Sequence, residues 1–244
     1  MFFSLSNMKI GYVVLHYSVY EMTVMCVDAL LNIASYDSEI IIVDNNSPND
    51  SAERLMCKYL VNHNVSVIKV HKNLGFARGN NIGYSTAKER NCDLIVVMNN
   101  DVVIIDRQFE YKLCQTICKD NVGIICPDII NLELQHQNPF RLSRISTYAV
   151  MKDLIKQVLL YIKFSLSPEK VSIDYTLQKR KRVNLSPSSE YGIIPHGAAV
   201  IFTKKFIKMS DVAFLPLTYF YGEEDLLYDY LRKLDLTSFY NKDL

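Results

Sequence analysis

With 244 residues, 49% of them hydrophobic and 22% charged, the chain has enough apolar side chain for a sizeable core, either one α/β domain or one domain with an appendage. A net charge of +1 supplies no global field for nucleic acid, and no nucleic-acid partner is expected. The six cysteines (Cys26, Cys57, Cys92, Cys114, Cys118 and Cys126) lie in apolar contexts with no CxxC pair and no adjacent histidine, which points to reduced, cytosolic core residues rather than disulfides or a zinc site.

The opening MFFSLSNMKIGYVVLHY has neither a basic start nor a small-residue cleavage site, so no secretory signal is read there, and Met8 is an equally good start. From Lys9 onward, short apolar runs alternate with longer stretches of helical period, the signature of βαβ units and a parallel sheet. Strands are predicted over 9–15, 39–43, 65–70, 93–98 and 122–126, and helices over 20–34, 50–62, 77–89 and 108–118. Right-handed crossovers place those helices on both faces of the sheet. After Pro127 the pattern breaks: NLELQHQNPFRLSR reads as a loop, 147–165 as an amphipathic helix, and QKRKR at 178–182 as a local basic run. Order returns with a strand in HGAAVIF, 196–202, followed by YFYGEEDLLYDYLRK.

Three stretches place polar residues where strands end. In EIIIVDNNSPNDS, Asp44 falls at the carboxyl end of a strand, the edge where open α/β sheets bind ligands, while Ser47, Pro48, Asn49 and Asp50 offer caps and a first-turn proline for the next helix. HKNLGFARGNNIGYSTA, 71–87, carries glycines at 75, 79 and 83 and matches neither GxGxxG nor a P-loop. That fourfold spacing lets one helix face approach the sheet closely, with a tight strand-to-helix turn the competing reading for Gly75. Arg78 and Asn80, near the start of that helix, are placed to reach an anionic ligand. VVMNND, 96–101, ends an apolar strand on Asn99, Asn100 and Asp101, either as a turn or as a site for a metal ion, a sugar or a phosphate.

VDNNSPNDS, NLGFARGNNIGYSTA and MNNDV, followed by HGAAVIF and YFYGEEDLLYDYL, resemble glycosyltransferase family 2 in order and spacing, in particular its rhamnosyltransferase-like branch. The resemblance covers most of 9–233, with 130–190 the stretch where the family varies. It implies an α/β fold of GT-A type, a Rossmann-like, mostly parallel central sheet with helices on both faces. It further implies a single domain over 1–244, with a nucleotide-sugar half at 9–128 and an acceptor half at 129–244. The implied activity is transfer, with inversion, from a nucleoside diphosphate sugar to a saccharide or lipid-linked saccharide acceptor in surface polysaccharide synthesis.

Carried over by position, the resemblance makes Asp44 a contact to the nucleotide base, with the backbone near His16 and Tyr17 closing over it and Asn46 and Gly75 beside the donor. Arg78 and Asn80 would hold the ribose or diphosphate. Asn99, Asn100 and Asp101 stand where the family has its DxD motif, so Asp101 would be the main protein ligand to Mg²⁺ or Mn²⁺. Asn99 departs from that motif and leaves one carboxylate fewer facing the cation. The catalytic base falls in Glu223, Glu224 and Asp225, with the register open between Glu224 and Asp225; the competing reading is that three acids merely favour a helix N-terminus.

Family members commonly continue past the acidic helix into further strand and helix, often with a histidine that helps to bind metal or phosphate. Here no histidine follows His196 and the sequence stops at Leu244, which reads as a naturally short or a truncated chain. Two rival readings therefore stay open: a non-catalytic nucleotide-sugar-binding or scaffolding subunit, and a nucleotidyltransferase. Lys152, Asp153, Lys156 and Lys163 interrupt residues 145–166 too often for a membrane span. That segment either packs over the acceptor side of the site or, together with the QKRKR run, lies on the inner surface of the membrane as a peripheral contact of a cytoplasmic protein.

Overall fold

The structure is a computed structural model that describes residues 8–35, 37–144, 146–166, 188–220 and 222–244. The elements run β1 (Ile10–His16), α1 (Tyr20–Leu31), β2 (Glu39–Asp44), α2 (Ser51–Lys58), β3 (Val65–Lys69), α3 (Gly75–Glu89), β4 (Leu94–Asn99), α4 (Phe109–Gln115), β5 (Val122–Pro127), α5 (Thr147–Leu166), β6 (Glu190–Tyr191), β7 (Ala199–Phe202), α6 (Lys204–Met209), α7 (Glu223–Lys233) and β8 (Thr237–Asn241). The chain divides into two units, one of Met1–Leu142 with Ser189–Leu244 and one of Ser143–Ser188.

All eight strands form one sheet in the first unit, in the order β3-β2-β1-β4-β7-β5-β8-β6. Strands β1 to β5 and β8 share one direction; β7 runs antiparallel between β4 and β5, and β6 runs antiparallel to β8 at the edge. The sheet is thus mostly parallel, of α/β GT-A type. Its central strands are buried on both faces, which is why they read as unbroken apolar runs. Alternation along β1 and β2 sends Val13, Ile41 and Val43 to one core with Tyr84 of α3, Phe206 of α6 and Leu227 of α7. Tyr12, Ile40 and Ile42 go to the other core, with Cys26 and Leu30 of α1, Leu55 of α2 and Phe109 of α4.

The expected close approach of α3 to the sheet is present. A methyl group on Gly83 would collide with Val13, and one on Gly79 would lie 2.6 Å from Leu15. Gly75 serves differently, as the tight turn: its φ of +77° is left-handed, and a side chain there would also strike the Tyr219 carbonyl.

Three elements were not anticipated. Strand β6 has two residues, and α6 is a six-residue helix capped by Thr203, whose hydroxyl accepts from the Phe206 N–H at 3.3 Å. Strand β8, which follows the acidic helix directly, pairs in parallel with β5, so a strand beyond that helix exists in this chain. Its sequence, TSFYN, is too short to show a period, and its partner lies more than a hundred residues away. The strand predicted from residue 196 begins at Ala199, because Gly197 and Ala198 form a turn. All six cysteines are free, but Cys57 is exposed on α2 rather than in the core. The QKRKR run and the first seven residues lie outside the described residues.

Candidate active site

Strand register fixes the site's frame. Pairing of β1 with β2 sets His16 beside Asp44, and pairing of β1 with β4 sets Leu15 beside Asn99, so the polar ends of three strands line up at one carboxyl edge. His16 is buried, its Nδ1 2.7 Å from Thr23 Oγ1 and its Nε2 2.8 Å from Ser51 Oγ. Burial lowers the imidazole pKa, opposed by the charge of Asp44. The side chain therefore ties α1 to α2, and its backbone carbonyl holds the Asn45 N–H at 2.9 Å. Tyr17 is half exposed, and Ser18, in the left-handed region at φ +64°, donates its N–H to Ser47 Oγ at 2.8 Å.

Asp44 is fully buried. Its carboxylate accepts from the Ser47 N–H at 3.2 and 3.4 Å and from the Ser47 hydroxyl at 2.5 Å, closing the turn that carries the exposed, left-handed Asn46. Asp44 thus stands at the predicted strand end but is not separable from the fold. Asp44→Ala should lower the urea midpoint of unfolding by an amount equivalent to roughly 1–3 kcal/mol, because the Ser47 donors lose a buried acceptor. An unchanged midpoint would show that the turn does not need the carboxylate. Of the caps expected for α2, one is used. Asn49, not Ser47 or Asp50, accepts from the Ser51 N–H at 3.3 Å and hydroxyl at 2.6 Å, and Pro48 precedes the helix instead of opening it.

Asn45, next to Asp44, organises the second loop. Its Oδ1 accepts from the Leu74 N–H at 2.8 Å, and its Nδ2 donates to Asn73 Oδ1 at 3.1 Å and the Gly75 carbonyl at 3.3 Å. Tyr219 donates its hydroxyl to Asn73 Oδ1 at 2.9 Å and accepts the Phe76 N–H on its carbonyl at 3.1 Å. The start of α3 is thereby clamped between two loops. Arg78, in its first turn, is exposed and makes no hydrogen bond or ion pair among the described residues. Asn80, by contrast, is buried, donating to the Phe76 carbonyl at 3.1 Å while its Oδ1 has no partner. Asn81 pins the loop before α7 by bonds to Ala213 and Phe214.

The NND triplet divides its labour. Asn99 completes β4, donating its N–H to the Ala198 carbonyl at 2.9 Å, and Asn100 donates to Thr23 Oγ1 at 3.0 Å. Asp101 is exposed with no hydrogen bond or ion pair among the described residues. Its charge is felt by the Cys26 thiol, whose pKa burial first, and then Asp101, pushes up to about 12. The described residues contain no group of three or more His, Cys, Asp or Glu able to hold a metal. A lone free carboxylate fits a cation of Mg²⁺ type, which is commonly held by one or two carboxylates together with substrate phosphates and water.

The acidic stretch reaches the same edge through β7. Ala198 bonds Asn99, and a methyl on the neighbouring Gly197 would lie 2.7 Å from Glu224 Oε1, so the Glu224 carboxylate sits against the turn beside the β4 end. The three acids are not equivalent. Glu223 is buried and accepts the Thr218 hydroxyl at 2.9 Å. Asp225 is paired with Arg141. Glu224 has its pKa raised, chiefly by desolvation and further by the charges of Glu223 and Asp225, against its own backbone N–H and Arg141. Arg141 and Asn138, which bonds both the Pro127 carbonyl and the His196 N–H, carried no sequence signal because their partners lie far along the chain, and Thr218, five residues before Glu223, carried none because no motif marks it.

The model of glycosyl transferase family 2 matches residues 13–173, and the chain belongs to that family. No curated protein matches the chain by sequence. Among solved structures, the mannosyltransferase PcManGT from Pyrobaculum calidifontis, in complex with GDP-Man and Mn²⁺, superposes with a TM-score of 0.59 at 13% identity, covering 96% of this chain and 55% of that one. S. aureus TarS 1-349 in complex with UDP-GlcNAc gives 0.59 at 12% identity, covering 96% and 58%. These likenesses concern the fold, and the chain spans a little over half the length of those proteins.

Proposed function

We propose that the protein transfers a sugar from a nucleoside diphosphate sugar to a saccharide or lipid-linked saccharide acceptor, with inversion, as a rhamnosyltransferase-like member of its family working in surface polysaccharide synthesis. The observation that carries this reading is the contact of Glu224 with the Gly197–Ala198 turn, itself bonded to Asn99 beside the free Asp101. A carboxylate of raised pKa at the carboxyl edge of the sheet, near a second carboxylate free to meet a cation, supports that reading. Residues 9–128 bind the donor and 129–244 the acceptor, in the cytoplasm at the inner face of the membrane.

Glu224 takes the proton from the acceptor hydroxyl as that oxygen attacks the anomeric carbon, and the bond from that carbon to the diphosphate oxygen breaks with its electron pair leaving on the nucleoside diphosphate. A single base gives one displacement and inversion. Asp225, neutralised by Arg141, orients the helix start, and Arg78 offers its charge to the diphosphate. Asp101, with the diphosphate, would hold Mg²⁺ or Mn²⁺, which when bound supplies charge neutralisation to the leaving group. Asp44, Asn46 and the backbone at His16, Tyr17 and Gly75 enclose the nucleotide.

The test is release of nucleoside diphosphate by the purified chain from a panel of UDP-, GDP- and dTDP-sugars with Mg²⁺ or Mn²⁺. Release from one donor, stimulated by a saccharide acceptor, is expected. Tight nucleotide binding without turnover on any donor would instead support a binding or scaffolding subunit.

A further inference from the structure

Helix α5 is twenty residues long, about 30 Å at 1.5 Å per residue. Met151, Leu154, Ile155, Val158 and Ile162 recur at spacings of three and four, which gathers them on one face, and each is 47–60% exposed. Tyr148 and Tyr161, 78% and 71% exposed, flank that face. A run of aliphatic side chains this open on one helix exceeds the scattered apolar residues of an ordinary surface. Lys152 and Lys156, four apart and exposed, lie roughly 120° around the axis from the centre of the apolar face. No helix among the described residues is long and apolar enough to cross a membrane.

Charge identifies the occupant. Residues 143–188 contain nine Lys and Arg against three Asp and Glu, a net +6, whereas the whole chain carries +1, leaving −5 on the remainder. Pairing α5 with that of a second copy would bring together two helices that each carry Lys152, Lys156 and Lys163 against Asp153 alone, which electrostatic repulsion opposes. An anionic lipid surface satisfies both properties at once: it takes the aliphatic face into the boundary between headgroups and acyl chains, and its negative potential attracts the basic residues. Tyrosines at the edges of the apolar face suit that boundary, since the ring is apolar and the hydroxyl stays wet.

We propose that α5 is an in-plane docking helix for a membrane surface rich in anionic phospholipid. This deepens the placement at the inner membrane face and does not depend on the transfer reaction, so the two fail separately: nucleoside diphosphate release in detergent-free solution reports on chemistry, and vesicle binding reports on α5.

The experiment is co-sedimentation of the full chain with vesicles of phosphatidylglycerol and phosphatidylcholine, against vesicles of phosphatidylcholine alone, at low and at high salt. Binding to the anionic vesicles is expected at low ionic strength, with release at about 1 M salt, where the screening length falls to roughly 3 Å. Val158→Asp and the pair Lys152→Glu with Lys156→Glu should each cut the bound fraction roughly tenfold or more. Because these side chains are exposed, their far-ultraviolet circular dichroism and nucleotide-dependent thermal shift should match the parent. Failure of the parent chain to bind anionic vesicles at low salt overturns the proposal, as does equal binding to phosphatidylcholine alone. A dimer in sedimentation velocity that Val158→Asp dissociates, without vesicle binding, would assign the face to a second copy instead.

Discussion

Glu224→Gln is expected to remove sugar transfer while leaving the nucleotide in place. The amide keeps the size of the side chain and its fit against Gly197 but cannot take a proton, and general bases contribute on the order of 10²- to 10⁴-fold to such steps. The loss should fall on kcat, with the dissociation constant for nucleoside diphosphate unchanged. Asp225→Asn should lose much less, since that carboxylate is occupied by Arg141. The raised pKa of Glu224 sets two signs. Activity should fall on the acid side at a higher pH than an ordinary glutamate would give, because the base must be ionised. Stability moves the other way: a carboxyl whose folded pKa exceeds its unfolded pKa favours the native state below the unfolded value and loses that contribution as pH rises through the folded one. At neutral pH the ionised form is therefore a burden, and Glu224→Gln should hold or raise the melting temperature. Transfer retained in Glu224→Gln and lost in Asp225→Asn would reverse the assignment.

Asp101→Asn is the second large effect. Were the NND triplet only a turn, asparagine would serve there nearly as well as aspartate. Asn99 and Asn100 already make the bonds a turn requires, to Ala198 and Thr23, whereas Asp101 makes none among the described residues. If Asp101 faces a divalent ion as proposed, removing its charge should lower turnover by ~10²–10³-fold, equivalent to several kcal/mol, and weaken the metal-dependent part of nucleotide binding. Melting without ligand should not change, because no contact is lost. Wild-type nucleotide affinity in Asp101→Asn, with the same dependence on Mn²⁺, would assign the triplet to the turn alone.

The contrast between Asp101 and Asp44 shows where sequence reading succeeds. Both lie at the ends of apolar strands, and the parallel-sheet pattern placed both at the carboxyl edge. Pattern alone could not show that Asp44 is consumed by Ser47 three residues on, while Asp101 stays free. The first half of the fold was legible because apolar runs and helical stretches alternate there regularly, so that even the five-residue β3 is framed by its neighbours. Strand β8, five residues without a period, and α6, a turn and a half, were not. The different surroundings of the three acids were equally hidden, since two of them are set by Arg141 and Gly197, which lie far from the triplet in the chain.

Antiparallel β7 has a consequence for how such a protein can diverge. The chain leaves the sheet at Pro127, re-enters it at Glu190 as the edge strand β6, and only then runs through β7 antiparallel to β5, so residues 128–189 are one excursion between two strands of the same sheet. Its roots are stapled by Asn138, which spans Pro127 and His196, and by the bridge of Arg141 to Ile194. Doubling the length of a flexible loop closed in this way costs only about 0.6 kcal/mol. Descendants can therefore lengthen, shorten or rewrite the segment while β4 and β7, whose ends lie beside Asp101 and Glu224, keep their register.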